Sequence, residues 1–362
     1  MKIRLLFLLN LLSIGAYAQM TDGPYVFVRN GRTVQKSLSM KDGRAVVNAD
    51  SLGKVSEIAV EVSSHPEWTF KVKLRSALSI AKPVSKGASK MLFLSDIEGE
   101  FAAFRSILLA NGVIDEKYRW TYGQGQLIIA GDLFDRGKEV LPYLWLLYKL
   151  EAEGNVHVIL GNHDIMNLQG DFRYVAPEYK ANAKLMGESY ADLFAANTEL
   201  GRWLRTKNVI EKVGDVLVLH GGVSPAVNKM GWSLNRINNT ARSFYTTPMK
   251  SLPDSLKDLM GGQGLFWYRG YFSAPKTTMA AVDSTLQLFS AKTILVGHTI
   301  LAKNIAVYYH GKVIGVDVNQ HAGKHNAALL ENGQWFLLDD KGSKQPLVYR
   351  KENDEVKAGD IN

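Results

Sequence analysis

The chain contains no cysteine. Disulfides, thiolate metal ligands and a cysteine nucleophile are thereby excluded, and any metal site has to be built from His, Asp, Glu and Asn. Donors of that kind suit Mn, Fe, Mg or Zn better than soft-metal chemistry. Past the N-terminus no segment holds the roughly 18 consecutive apolar residues of a membrane helix. Internal repeats and low-complexity tracts are missing too. Charge excess is small: +8 over 362 residues, with Lys2 and Arg4 contributing to it. Such a balance reads as general solubility and gives no reason to expect nucleic acid as a partner. What the chain does have is apolar content, 46% of its residues, enough for one large core and a smaller unit.

The N-terminus reads as an export signal. Lys2 and Arg4 form a basic start, Leu5 to Leu12 is apolar apart from Asn10, and Ala16-Tyr17-Ala18 is an A-x-A cleavage site. A signal peptide over 1–18, cut before Gln19, is expected. The mature chain is expected to be periplasmic or secreted, with no stable membrane insertion after cleavage.

Residues 20–82 read as a small all-β domain. Alternating runs are broken by Asn30-Gly31 and Asp42-Gly43, both strong hairpin signals. The polar, turn-rich stretch 83–90 is the expected junction. From Met91 the pattern changes to apolar strands alternating with helical stretches at 101–110 and 139–151. That βαβ alternation predicts an α/β unit over 88–340, with a sheet covered on both faces by helices. Segments 165–208 and 225–290 read as mostly helical insertions that rim a pocket. A flexible tail is expected over 341–362.

Five apolar runs end in residue types that bind metals or phosphate: LFLSDIEGE (92–100), LIIAGDLFDRG (127–137), VHVILGNHD (156–164), VLVLHGG (216–222) and TILVGH (293–298). Each reads as a buried strand delivering Asp, Asn or His to the carboxyl edge of a sheet, where α/β folds build their sites. Within GDLFDRG, Asp132 has the character of a carboxylate shared between two metals, and Arg136 offers a planar fork for a phosphate. Asn162 is a neutral oxygen ligand. Its neighbour His163 is left free as a general acid, and such a ring needs a carboxylate to orient it, for which Asp135 is the candidate. His220, His298 and Asp96 complete the set. Arg173 and Tyr174 are candidates for the pocket wall, Asp317 for a supporting position behind the ligands, and His321 and His325 read as surface residues.

The order Asp-x-x-Gly, GDxxDRG, GNHD, HGG, GH resembles the calcineurin-like metallophosphoesterases, the superfamily of the phosphoprotein phosphatases. GNHDIMNLQGDFRYV (161–175) and LFWYRGYF (265–272) further resemble the Shewanella-like protein phosphatases. The resemblance implies a β-sandwich core flanked by helices and two divalent metal ions, Mn foremost, with Fe, Mg or Zn as alternatives. It implies that Asp96 and Asp132 hold the first metal, that Asp132 bridges to the second, and that Asn162, His220 and His298 complete the second. It also implies that His163, oriented by Asp135, protonates the leaving oxygen, that Arg136 and Arg269 clamp the phosphoryl group, and that a metal-bridging hydroxide attacks. One position departs from the pattern, which normally runs Asp-x-His-Gly: Glu98 stands where the first metal would have a histidine. A ligating carboxylate there is a harder ligand and tilts the first site toward Mn, Mg or Fe(II); a Glu98 that does not ligate leaves the site one metal short.

The expected activity is therefore hydrolysis of phosphate monoesters, phosphoprotein or small ester, by an exported metallophosphatase. A phosphodiesterase or dinucleotide polyphosphate hydrolase on the same scaffold is the alternative within enzymes. A lapsed, binding-only descendant, for which Glu98 is the main argument, is the alternative outside them. Oligomeric state is not legible.

Overall fold

Core strands read as unbroken apolar runs because both of their faces are covered. The structure, a computed structural model, describes residues 21–53, 56–301 and 304–350; the expected signal peptide and residues 351–362 of the expected tail lie outside the described residues. In chain order the strands are β1 (Asp22–Arg29), β2 (Arg32–Lys41), β3 (Arg44–Leu52), β4 (Glu57–Val60), β5 (Phe70–Lys73), β6 (Val84–Ser85), β7 (Lys90–Leu94), β8 (Gln126–Ala130) and β9 (Val156–Ile159), followed by β10 (Ile210–Val213), β11 (Val216–Leu219), β12 (Thr293–Val296), β13 (Ala306–Tyr308), β14 (Val313–Gly315), β15 (Asn326–Glu331), β16 (Gln334–Asp339) and β17 (Lys344–Pro346).

Two six-stranded sheets form the main body, in the orders β17-β16-β15-β7-β8-β9 and β13-β14-β12-β11-β10-β6. Successive side chains on a strand point to opposite faces. Met91, Phe93, Ile128, Ala130 and Ile159 of the first sheet accordingly share one core with Val213, Val218, Leu295 and Ile314 of the second. Leu92, Leu94, Leu127 and Ile129 belong to the other core, with residues such as Phe104 and Leu144 from helices α1 (Phe101–Ala110) and α2 (Val140–Glu153). The expectation of one sheet with helices on both faces is corrected here: each core sheet has helices on one face and the other sheet on the opposite face. An apolar run shows that both faces are buried, not what buries them. The result is the sandwich that the family resemblance implies, flanked by helices.

Parallel pairing decides where the strand ends meet. Strand β7 pairs in parallel with β8 and β8 with β9, in register Leu94↔Ile129 and Ala130↔Ile159. In the second sheet β11 and β12 are parallel, with Leu219↔Val296. Within each sheet the chain thus leaves these strands at one common edge.

The N-terminal strands β1, β2 and β3 form an antiparallel sheet. Asn30-Gly31 and Asp42-Gly43 both turn with positive φ (49° and 72°, 51° and 73°), as tight hairpins with the right twist require. Strand β1 is buried along most of its length. Trp145 of α2 donates from Nε1 to the Pro24 carbonyl (2.9 Å), and Val28 N–H donates to Asn197 O (2.7 Å). The main body also starts and ends differently from the expected 88–340. Val84 and Ser85 pair with β10, and Lys344 to Pro346, part of the expected tail, pair with β16. Edge pairing uses backbone groups and needs no apolar side chains, so these short segments carry no pattern. No helix among the described residues is long and apolar enough to cross a membrane.

Candidate metal centre

Six of the candidate residues sit in left-handed backbone: Asp96, Glu98, Asp132, Asp135, Arg136 and His298, with φ between 44° and 79°. Non-glycine residues pay for that conformation, and it persists where surrounding contacts over-determine it. The ties here are explicit. Asp96 N–H donates to Gly131 O (3.0 Å), Glu98 N–H to Asp132 O (3.1 Å) and Gly137 N–H to Glu98 O (2.8 Å). The loops after β7 and β8 therefore hold each other. Gly161 must be glycine because a Cβ there would lie 2.2 Å from Asp132 Oδ1.

Helix α3 (Asn162–Gln169) begins at the site. Asp164, to which the sequence reading gave no role of its own, is what anchors it. Its Oδ2 accepts from Gly161 N–H (2.7 Å) and its Oδ1 from Leu133 N–H (2.8 Å). The local signal was an acid two residues after Asn162, in the first turn of the helix. Asn167, one turn on, donates to Asp135 Oδ1 (2.8 Å), and Asp135 Oδ2 lies 2.6 Å from His163 Nδ1. The proposed acid is thus fixed from behind by a carboxylate that is itself fixed.

Asp132, Asn162 and His220 converge. His220 Nε2 lies 2.9 Å from Asn162 Oδ1 and 3.1 Å from Asp132 Oδ2, while its Nδ1 donates to Ala130 O (2.8 Å). That outer bond places the inner nitrogen toward the carboxylate, the arrangement ligating histidines use. Donor atoms of Asp132, His220 and His298 lie within 4.8 Å of one another, and so do those of Glu98, Asp132 and His163. His298 N–H donates to Asp96 Oδ2 (3.1 Å).

A cavity of about 290 Å³ collects these groups; Asp96, Asp132, Asn162, His163 and His298 line it, together with both arginines. Arg269 donates to His298 O (2.5 Å). Arg136 donates to Glu98 Oε2 (2.7 Å). Tyr174 lines the cavity and lies against the His163 ring at 5.0 Å. Arg173 does not line it and pairs with Asp171 outside. Asp317 lines it and is buried.

His321 is exposed, as the sequence reading expects, but it also lines the cavity, with Nε2 2.7 Å from Glu98 Oε2 and Nδ1 2.7 Å from Glu100 Oε1. Residues 98 and 321 are too far apart in sequence for any local pattern to join them. His325 pairs with Asp340 instead (2.8 Å).

The electrostatics ask for cations. Burial raises Asp96 to about 6; His220 opposes that rise while Asp132 and Glu98 add to it. Burial, with Asp96, Glu98 and Asp132 nearby, pushes Asp317 well above the ordinary carboxylate range. Burial disfavours the charged His163 and His220 rings, but neighbouring carboxylates outweigh it and raise both to about 9. His298, buried beside His220 and Arg269, is held well below an ordinary histidine. Among the described residues its buried Nε2 has no hydrogen-bond partner, and neither has Glu98 Oε1. A buried polar atom without a partner is costly, and a cluster of buried carboxylates without cations is more so. Divalent ions answer both, so the donor set fits a metal centre.

The comparisons with known proteins follow the same lines. The family model of the calcineurin-like phosphoesterases matches residues 89–301. Shewanella-like protein phosphatase 2 of Arabidopsis thaliana is 27% identical over 284 residues, covering 65% of this chain and 72% of that protein. A symmetrical bis(5'-nucleosyl)-tetraphosphatase of Buchnera aphidicola is 34% identical over 149 residues, covering 40% of this chain and 46% of that protein. Among solved structures, the cold-active protein-tyrosine phosphatase of a psychrophilic Shewanella superposes with a TM-score of 0.82 at 35% identity, covering 90% of this chain and 99% of that one.

Proposed function

The chain belongs to the calcineurin-like phosphoesterases and is a phosphatase, and from that premise we propose that it is an exported, two-metal phosphomonoesterase. Asp132, Asn162, His220 and His298 would hold one ion, and Asp96, Glu98 and Asp132 the other. Bound divalent ions supply Lewis-acid polarisation of the phosphoryl oxygens and lower the pKa of water at the site. The rest falls to side chains. Arg136 and Arg269, both lining the cavity, grip the phosphoryl oxygens and hold them in line. His163, with its Nδ1 on Asp135, is placed to give a proton from Nε2 to the leaving oxygen, and the Asp135 carboxylate behind the ring favours its protonated form. Asn167 keeps Asp135 from turning away.

The observation that carries this reading is the His163–Asp135 pair facing a carboxylate cluster between two arginines. Among monoesters, an aryl phosphate suits the cavity, because Tyr174 and Trp267 line it and the similar Shewanella structure is of a tyrosine phosphatase. Export favours small esters scavenged outside the cytoplasm. The test is phosphate release from p-nitrophenyl phosphate by the chain starting at Gln19, stripped of metal and resupplied with Mn, Mg, Fe(II) or Zn. Turnover restored by metal and abolished in Asp132→Asn supports the proposal; folded protein without turnover under any ion overturns it. Fractionation of the expressed full chain tests export.

The similarity to symmetrical bis(5'-nucleosyl)-tetraphosphatases over 149 residues supports a second reading, hydrolysis of dinucleotide polyphosphates. Faster turnover of diadenosine tetraphosphate than of phosphotyrosine and p-nitrophenyl phosphate would put that reading first.

A further inference from the structure

We propose that His321 is a metal ligand, supplying to the first ion the imidazole that position 98 no longer provides. The inference rests on the two-metal reading above and deepens it for one site. Asp96, Asp132 and Glu98 alone would surround that ion with carboxylates; Asp96 and Asp132 line the cavity with Asp317 beside them. A neutral ring contributes a donor without further negative charge.

The ring is braced as a ligating histidine is and reaches the site through Glu98, outside the donor groups already within 4.8 Å of one another among the described residues. His321 stands on a short turn, Gln320–Ala322, tied down by Asn319, whose Oδ1 accepts from Ala322 N–H (3.1 Å). Its outer nitrogen, Nδ1, is bonded to the Glu100 carboxylate (2.7 Å). Its inner nitrogen, Nε2, points at Glu98 Oε2 (2.7 Å). A carboxylate behind a histidine fixes the ring and raises the basicity of the nitrogen that faces the metal. His220 is braced in the same way by Ala130 O, with its Nε2 on Asp132. Neighbouring donors of an ion with bonds of about 2.1 Å lie about 3 Å apart in octahedral geometry, close to the Nε2–Oε2 spacing seen. Glu98 has capacity to share: Oε2 already takes Arg136 and His321, while the buried Oε1 has no hydrogen-bond partner among the described residues and lies 3.5 Å from His163 Nε2. His and Glu are thus divided between two elements, where the family pattern puts one His on the loop after β7. A site of mixed oxygen and nitrogen donors with several carboxylates favours Mn(II) or Fe(II) over Zn(II).

The experiment loads metal-free chain, starting at Gln19, with Mn(II) and measures stoichiometry by elemental analysis and affinity by calorimetry. The wild type is compared with His321→Ala, His321→Gln, His325→Ala and Glu98→His/His321→Ala. In parallel, the Co(II)-loaded forms are examined by NMR for hyperfine-shifted imidazole resonances. Two ions in the wild type, one weakened at least 10-fold in both His321 variants, no change in His325→Ala, recovery in the double variant and loss of one imidazole set would support the proposal. Two ions of unchanged affinity and an unchanged set of imidazole resonances in His321→Gln would overturn it and leave His321 as an ion-pair partner of Glu98 and Glu100. A wild type that binds no ion would instead sink the two-metal reading itself. The Gln variant keeps a polar side chain toward Glu100, so the comparison survives if the Ala variant does not fold.

Discussion

The N-terminal sheet and the metal-site cleft each place non-glycine residues in left-handed backbone, for different reasons. In the N-terminal sheet these are Asn30 and Asp42, exposed at hairpin tips and each followed by a glycine. Asn and Asp tolerate the conformation, and the turn is complete within its own residues. In the cleft they are Asp96, Glu98, Asp132, Asp135, Arg136 and His298, most of them buried, and held there by hydrogen bonds from other loops. The hairpin turns serve the local path of the chain. The cleft turns aim side chains, and distant contacts keep them in place. Activity should therefore be concentrated in one region, while the other contributes to stability alone.

The contrast is sharpened most by His163→Ala. Loss of a general acid is expected to lower kcat by about 10²–10⁴-fold, more for an alkyl phosphate than for p-nitrophenyl phosphate, whose leaving group needs no proton. Equal losses on both esters would separate His163 from proton transfer. Arg269→Ala comes next, with a loss on the order of 10²–10³ in kcat/KM from a missing preorganised donor and a thermal midpoint near that of wild type. On the other side of the comparison, Phe27→Ala in β1 empties a fully buried position and is expected to cost about 3–5 kcal/mol in denaturant unfolding, with kcat of the folded fraction unchanged. A fall in kcat as large as that of Arg269→Ala would break the division between the regions.

The smallest effect concerns pH. Burial raises Asp22 of β1 to about 6, against hydrogen bonds from Tyr25 and Asn182 that pull the other way. A carboxyl raised above its unfolded value contributes stability that is complete below about pH 4 and lost as pH rises through about 6. The shift corresponds to about 2–3 kcal/mol across that window. Asp22→Asn should flatten the stability profile between pH 4 and 6, as measured by urea midpoints, and leave the pH dependence of kcat alone. An unchanged profile would place the titration elsewhere.

Much of this is legible in the amino-acid sequence. The strands bearing Asp96, Asp132, Asn162, His220 and His298 show as apolar runs because both faces are buried, and GDLFDRG and GNHD are dense enough to stand out. Asn30-Gly31 and Asp42-Gly43 announced their hairpins through backbone chemistry. The partner sheet was not legible, since burial by a helix and burial by a sheet leave the same apolar pattern. Nor was the reach of the main body: Val84–Ser85 and Lys344–Pro346 join it through backbone pairing alone.

The chain by itself determined which residue types stand at strand ends, that no thiolate takes part, and where turns of fixed handedness occur. All of these depend on neighbours within a few positions. Tertiary structure decided what brings them together: the stacking of two sheets, the carboxylate behind His163 fixed by Asn167, and the meeting of His321 with Glu98 across 223 positions. Such contacts depend on packing between distant segments, and packing leaves no periodic trace in the segments it joins.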